Sequence, residues 1–360
     1  MELFNVKNAS LDELTAFFEE LGDRPYRARQ LYRWIYRQGA VSFDQMTDFG
    51  KPLREKLAAR AEMPRIVLDR EQVSSDGTRK YLFLLPDGET VETVWIPEAD
   101  RATLCISTQV GCAMGCGFCL TARGGLRRNL AAWEIVEQFL EVRRLAPSDP
   151  PILNMVMMGM GEPLANLGAV IPALDRLVDR EGISLPARRM TVSTVGLVPQ
   201  MAELGKRAPY VNLAISLGGA TDEVRRQLIP VVADKWPLDT LFEACRNYPL
   251  LPRRSILFEY LLIKGLNDSR ADAKELVRRV HGVRCKVNLM TMNPIPGAPY
   301  ERPDEDTALA FQKVLRDSGL RTFLRKSRGP DILAACGQLR RGADAAAGPH
   351  LNLAVNQHPQ

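Results

Sequence analysis

Gly111–Cys119, reading GCAMGCGFC, places Cys112, Cys116 and Cys119 in a C-x3-C-x2-C pattern on one short loop. A metal centre needs its ligands brought together without a long loop-closure penalty. This spacing lets adjacent turns aim their sulfurs at one point, with Gly111, Gly115 and Gly117 allowing backbone angles that other residues resist. Structural zinc usually takes a closed set of four ligands, and no histidine or fourth cysteine lies near enough on the loop to complete one. A four-iron cluster on three cysteines leaves one iron open for a substrate or cofactor, which is a catalytic arrangement. Zinc with a fourth ligand brought from elsewhere stands as the alternative.

Around this loop the pattern alternates between strand and helix. Strands are expected at 102–107, 153–158, 190–194, 211–217, 256–263, 285–290 and 321–325, and helices at 133–144, 167–179, 200–205, 238–247, 270–280 and 306–318. Repeated βα units imply a parallel sheet, and their number suits a partial or complete barrel better than a short doubly wound sheet. Ligands on such sheets bind at the carboxyl ends of strands, and the cysteine loop follows the first of them. The expected class is therefore α/β, with a partial (β/α)6-type barrel core over 101–339.

Upstream, Ser10 and Glu13 form a capping-box signature ahead of Leu11, Leu14, Phe18 and Leu21 at helical spacing. A second helix, RPYRARQLYRWIYRQG, sets Arg24, Arg27, Arg29, Arg33 and Arg37 among Tyr26, Tyr32, Trp34 and Tyr36. Arginines bind phosphate and aromatic rings stack on bases, so the segment could grip RNA. Equally, Leu31, Trp34 and Ile35 could be core and the arginines a solvated face. A third helix at 51–61 completes a small helical module over 1–62. Between 63 and 100 the turn signals Ser75-Asp76-Gly77 and Pro86-Asp87-Gly88 separate IVLDREQV, RKYLFLL and TVETVWIP, an antiparallel β extension. The tail, 340–360, is rich in Ala and Gly and is expected to fray.

With 360 residues, 46% of them hydrophobic, the chain can bury a substantial core. A net charge of +5 permits nucleic-acid binding without establishing it. Seven cysteines, an odd number with three clustered, do not form a secreted disulfide framework, and no signal peptide precedes the amphipathic N-terminus, so a cytoplasmic location is expected. The most apolar stretch, 152–177, is broken by Glu162, Pro163, Asn166 and Pro172 and cannot span a membrane.

After the second barrel strand comes MGMGEPL, where Gly161 lets the backbone approach a ligand and Glu162 can accept a hydrogen bond from an ammonium group. Ser193 and Ser216 fall at the ends of the third and fourth strands. Asn293, in MNPIPGAPY, sits on a rigid loop able to point one amide at a ligand. Cys245 and Cys285 read as inert core. Cys105 lies in the first barrel strand. Cys336, in DILAACGQL, follows the basic residues Arg325, Lys326 and Arg328, whose charge would favour its thiolate.

The cysteine loop and GEP motif resemble those of radical S-adenosylmethionine (SAM) enzymes. Together with VETVWIPE, TLCISTQVGC, FEYLLIKGLNDS, NPIPGAPY and RKSRGPDILAACGQL, they resemble the RlmN family of RNA methyltransferases over about residues 11–339. The resemblance implies a [4Fe-4S] cluster on Cys112, Cys116 and Cys119, and SAM, two per turnover, held by Gly161, Glu162, Ser193, Ser216, Leu217, Gly218 and Asn293. Where this chain has Gly218, family members often have histidine, so contact there would be through backbone. The implied substrates are adenines of 23S rRNA and of tRNA beside the anticodon, methylated at carbon 2. That carbon is too electron-poor to attack the methyl group of SAM directly.

In the implied route Cys336 takes a methyl group by displacement, a 5′-deoxyadenosyl radical removes hydrogen from it, and the resulting carbon radical adds to carbon 2. Cys105 then releases the product through a transient Cys105–Cys336 disulfide, reduced by thiols. Glu92 resembles the family's proton acceptor. A reducing electron donor, a monomeric state and no membrane partner are expected. RNA contacts are expected from the N-terminal basic helix and from Arg123, Arg127 and Arg128, and replacing Arg27 and Arg33 together should weaken RNA binding. A Cfr-type enzyme acting on carbon 8 uses the same cysteines, and a non-catalytic zinc-containing RNA-binding protein is the remote alternative.

Overall fold

The computed structural model describes residues 3–340, so the tail expected at 340–360 lies, apart from Arg340, outside the described residues. The chain begins with helices α1 (Leu11–Glu20), α2 (Tyr26–Tyr36) and α3 (Lys51–Arg60), bracketed by a parallel ladder between β1 (Phe4–Asn5) and β2 (Ala61–Glu62). The capping box forms: Ser10 Oγ accepts from the Glu13 amide and Glu13 returns the bond to Ser10. Phe4 stacks on Phe17 with centroids 4.3 Å apart, and Phe18 meets Phe49 edge-on.

The module is fastened to the rest by polar contacts that desolvation makes costly to leave unmade. Lys7 Nζ lies 2.7 Å from Glu137, both side chains buried, and Tyr36 Oη donates to the Lys7 carbonyl. Leu31, Ile35 and Tyr36 of α2 are fully buried and Tyr32 nearly so. The face expected to offer rings to bases is therefore mostly core.

Strands β3 (Val67–Val73), β4 (Arg79–Leu84) and β5 (Thr90–Pro97) form the antiparallel extension, turning at the two Asp-Gly signals. Strand β6 (Ala102–Cys105) joins two architectures, antiparallel to β5 and parallel to β9 (Ile152–Met157). Between β6 and β9 lie the hairpin β7 (Gln109–Gly111) and β8 (Leu126–Asn129), the one-turn helix α4 (Leu120–Arg123) and α5 (Ala132–Leu145). The remaining strands are β10 (Met190–Thr194), β11 (Asn212–Ser216), β12 (Ile256–Leu262), β13 (Cys285–Thr291) and β14 (Thr322–Arg325), each parallel to its neighbour. They alternate with α6 (Leu167–Val178), α7 (Val198–Arg207), α8 (Asp222–Leu228), α9 (Pro230–Ala233), α10 (Leu238–Arg246), α11 (Arg270–Val280) and α12 (Glu305–Asp317). The whole is one ten-stranded sheet running from β14 to β3.

The two-residue period of β12 shows how the sheet makes both core and site. Phe258 packs on Phe242 of α10 at 5.4 Å and Tyr260 on Phe311 of α12 at 5.2 Å, so these rings face the helices. The intervening Glu259 and Leu261 point to the other face and line a cavity.

Several short elements were not expected, among them the β7–β8 hairpin and α8. The β7–β8 hairpin is too short and too charged (LRRN) for alternation to show. In α8, DEVRRQL carries few apolar positions, and its start is set by Thr221, whose hydroxyl accepts from the Val224 amide.

Candidate active site

The hairpin brings the cysteine loop into being. Gly111 sits at φ +79, and a Cβ there would fall 1.8 Å from the Gly125 carbonyl oxygen, so only glycine allows β7 to close on the segment that follows α4. The Cys112 amide then donates to that same oxygen at 3.0 Å, and the Cys119 amide to Cys116 O at 3.1 Å. Cys112 and Cys116 are buried and Cys119 half-buried, and all three border one cavity at the carboxyl ends of the parallel strands.

The opposite wall comes from the strand ends. Gly161 has φ +102, and a Cβ would meet Gln109 Cβ at 2.6 Å and the Gln109 amide nitrogen at 2.8 Å. Gln109 in turn accepts from the Glu162 amide at 2.8 Å, so the β7 strand carrying the cysteine loop and the GEP turn lock together. Glu162 is buried, and its carboxylate accepts from the amides of Leu164 and Val195, both at 2.9 Å. Burial pushes its carboxyl up to about 7, against the pull of those bonds.

Since Glu162 holds its proton more tightly folded than unfolded, its neutral form favours the fold. That contribution is complete below its ordinary value of 4.5 and is lost as pH rises through about 7. Glu259, also pushed up to about 7 by burial, acts in the same sense. The expected outcome is a ligand-free protein whose Tm falls between about pH 5 and about pH 8. Glu162→Gln should flatten the fall, and thermal melts across that range would refute this by showing the same slope in both proteins.

Ser193 and Ser216, both half-buried, line the cavity, and so does the buried Gly218. Gly218 has φ +74, with Ile229 2.9 Å from where a Cβ would be, and its carbonyl accepts from Asn267. Leu217, expected beside them, does not line the cavity: it is fully buried, its amide donates to Glu259 O and its carbonyl accepts from Arg225. Asn293 is a second correction. It is buried, its amide donates to the Cys336 carbonyl at 3.3 Å, and its oxygen accepts from Ser327 at 2.5 Å and Arg302 at 3.1 Å. Its side chain holds the loop of Cys336.

Cys336 is exposed to the cavity, and Gly337 beside it is pressed against the cysteine loop, where an added Cβ would lie 2.7 Å from Phe118 O. Leu120 donates its amide to Gly337 O at 2.7 Å and Thr121 its hydroxyl to Leu339 O at 2.6 Å. Of the basic residues expected to favour the Cys336 thiolate, Arg325 acts in that sense but is outweighed. The protein packed behind it, followed by the Glu259 carboxylate, pushes its thiol up to about 11, and Arg325 offsets this only in part. Lys326 and Arg328 point into solvent. Cys105 lies buried on β6, pushed up to about 12 by burial and then by the negative charge of Cys336.

Glu92 is buried, with one carboxylate oxygen 2.9 Å from Lys80 Nζ and the other accepting from the Arg340 amide at 2.8 Å. Burial raises its pKa and Lys80 opposes the rise. Both of its oxygens are engaged, and it does not line the cavity. Sequence reasoning missed Glu259 and Gln109. The former carried a signal, a lone carboxylate inside the apolar run ILFEYLL.

Several expected RNA contacts are also committed elsewhere. Arg27 bonds Gln30 and the Asp48 carbonyl and lies over Phe49, while Arg33 pairs with Glu181. Arg128 makes a bidentate pair with Glu134 and a bond to Asp87, and Arg123 donates to Pro296 O.

The residues present fit a [4Fe-4S] cluster with SAM. No three His, Cys, Asp or Glu among the described residues are arranged around a single ion. A cluster does not need that, since each cysteine takes a different iron. The three sulfurs instead border a space of about 1000 Å3, counting its open mouth, with a glycine cradle and a buried carboxylate opposite. Among the described residues no helix is long and apolar enough to cross a membrane.

Comparison with known proteins agrees with this geometry. Residues 4–63 match the ribosomal RNA large subunit methyltransferase N-terminal domain, and residues 106–305 match the radical SAM superfamily. The dual-specificity RNA methyltransferase RlmN of Syntrophobacter fumaroxidans is 47% identical over 94% of this chain and 98% of its own. That of Geobacter sulfurreducens is 48% identical over 95% of this chain and 94% of its own. The crystal structure of a radical SAM methyltransferase from Sphaerobacter thermophilus superposes with a TM-score of 0.89 at 44% identity, covering 94% of this chain and 99% of that one. Alike in sequence across nearly its whole length and alike in fold around the cysteine loop, the chain belongs to the RlmN family of radical SAM enzymes.

Proposed function

We propose that this chain methylates carbon 2 of adenine in 23S rRNA and in tRNA beside the anticodon, with Cys336 as methyl carrier and Cys105 as the resolving thiol. The observation that carries the reading is that Cys336 opens onto the cavity bordered by Cys112, Cys116 and Cys119. Cys112, Cys116 and Cys119 would hold a [4Fe-4S] cluster, which together with SAM would supply the radical chemistry needed to remove hydrogen. Glu162 and the Gly161 backbone hold the ammonium end of SAM, and Ser193 and Ser216 offer hydroxyls to it.

The chain's thiols do the rest. Cys336 sulfur accepts a methyl group, and after hydrogen removal the carbon on that sulfur bonds carbon 2 of the adenine. The adduct then gives up its odd electron to the oxidised form of the electron donor, and carbon 2 releases its proton to solvent. The Cys105 thiolate attacks Cys336 sulfur, the carbon–sulfur bond breaks with its electron pair going to the carbon, which takes up a proton to become the methyl group, and the Cys105–Cys336 disulfide is returned to thiols by an external reductant. Carbon 2 is favoured over carbon 8 by the paired N-terminal domain and by relatives named for RlmN. The enzyme works in the cytoplasm as a monomer, drawing electrons from a separate donor. Anaerobic reconstitution with iron and sulfide, reaction with methyl-labelled SAM, a reductant and an rRNA fragment, and mass analysis of nucleosides tests the reading. 2-Methyladenosine supports it, and 8-methyladenosine or no product overturns it.

RNA is held by the arginines the fold leaves free. Arg24, Arg29, Arg37 and Arg127 are exposed and have no side-chain partner among the described residues. Replacing Arg24, Arg29 and Arg37 with glutamine should weaken tRNA binding and flatten its logarithmic salt dependence by up to about 0.7 for each phosphate no longer neutralised. An unchanged slope in a salt titration would show that this helix does not hold RNA. Replacing Arg27 or Arg33 should instead loosen the module's packing.

A further inference from the structure

The segment from Gly329 to Arg340 carries Cys336 but has little regular structure of its own, a single 3-10 turn at Pro330–Ile332. Leu333, just past that turn, has a left-handed backbone at φ +53, a conformation that a branched residue holds only when its surroundings enforce it. Lys80 Nζ donates to the Leu333 carbonyl at 3.2 Å. Seven residues on, the Arg340 amide donates to Glu92 at 2.8 Å. Lys80 and Glu92 are themselves paired at 2.9 Å, their side chains 5% and 7% exposed. They sit diagonally across the β4–β5 ladder, where Lys80 faces Val94 and Glu92 faces Leu82.

A buried ion pair is weak support for stability, since apolar residues of similar volume often serve as well. This one spans the two ends of one loop. We propose that the Lys80–Glu92 pair is a latch for the Cys336 loop: Lys80 fixes its entry at Leu333 and Glu92 its exit at Arg340, setting Cys336 against Cys105 and the cysteine loop. Lys80 is thus a positioning residue, and Glu92 acts with it on the loop. The inference rests on Cys336 being the methyl carrier.

The test uses Lys80→Met and Lys80→Arg in the full chain. Amide hydrogen exchange of residues 333–340 is measured without SAM or RNA, and kcat and the KM for RNA are measured after reconstitution. Lys80→Met should speed exchange in that segment roughly tenfold, the scale of one charge-assisted hydrogen bond. It should also lower kcat by a similar factor at unchanged KM, and Lys80→Arg should recover both. Exchange and kcat as in the parent would overturn the latch, as would a fall in kcat with exchange unaltered.

Should Lys80→Met not fold, Glu92→Gln decides. Its amide oxygen still accepts from Arg340 but offers Lys80 no charge, so the latch requires faster exchange at 333–340, and unaltered exchange overturns the proposal whatever happens to turnover. Because exchange is read without SAM or RNA, absence of methylation in the parent would sink the functional reading while the latch is still judged.

Discussion

Cys336→Ala is expected to abolish 2-methyladenosine formation, a drop on the order of 10^6-fold, the scale seen when a covalent nucleophile is removed. Cys105→Ala is expected to fail one step later. Its cavity, cysteine loop and Cys336 are untouched, so the one-carbon bridge to RNA should form and then have no thiol to break it. The measurable result is a covalent protein–RNA species that accumulates to about one per chain in the first turnover, visible as a shifted band that nuclease trims. The two variants separate because Cys336 opens onto the cavity while Cys105 is buried on β6, where burial and the neighbouring thiol push it up to about 12. A Cys105→Ala protein that turns over freely would show that another thiol or water resolves the intermediate. An adduct in Cys336→Ala would place the carrier elsewhere.

The second large effect is expected at Gly161. Gly161→Ala must put a methyl group 2.6 Å from Gln109 Cβ and 2.8 Å from the Gln109 backbone nitrogen, at a φ of +102. Since the clash includes backbone, the strand carrying the cysteine loop must move away, and the Gln109–Glu162 and Gln109–Asn129 bonds go with it. Overpacking and positive-φ strain together cost about 2–5 kcal/mol. SAM binding should be lost beyond that, because the displaced turn carries Glu162. Gly168→Ala is the control: it lies in α6 with nothing within 4 Å of the added atom and should leave binding intact and raise stability slightly. Equilibrium dialysis with labelled SAM, alongside thermal melts, checks both. Parent-like binding in Gly161→Ala would mean that the cradle yields more easily than its geometry implies.

Much of the barrel is legible because its signals are local. The strand expected at 190–194 and the helix at 270–280 lie where the structure has them, the latter opened by Ser269 and Asp272 as a capping box. The cysteine loop is legible as chemistry because its three ligands sit within eight residues of one another. What resists reading is partnership across distance. Asn293 was expected to face a ligand, and nothing local says that its amide meets a carbonyl 43 residues on. Arg27 and Arg128 look like phosphate contacts because periodicity gives a side chain's face but not the carboxylate or carbonyl waiting there. Leu217 looks like a ligand contact by position in a motif, whereas just past the end of β11 its side chain is fully buried between the cavity-lining Ser216 and Gly218.

The Cys336 loop is fastened to residues that precede it by 248 to 257 positions, through Glu92, Lys80 and Ser74. On the ribosome this has an order to it. The β extension, the hairpin with its cysteines and the glycine cradle are all synthesised long before their closing segment, and distant contacts are the slow ones to form. A nascent or refolding chain therefore passes through a stage in which the cradle exists without Cys336, its cysteines bare on the loop side.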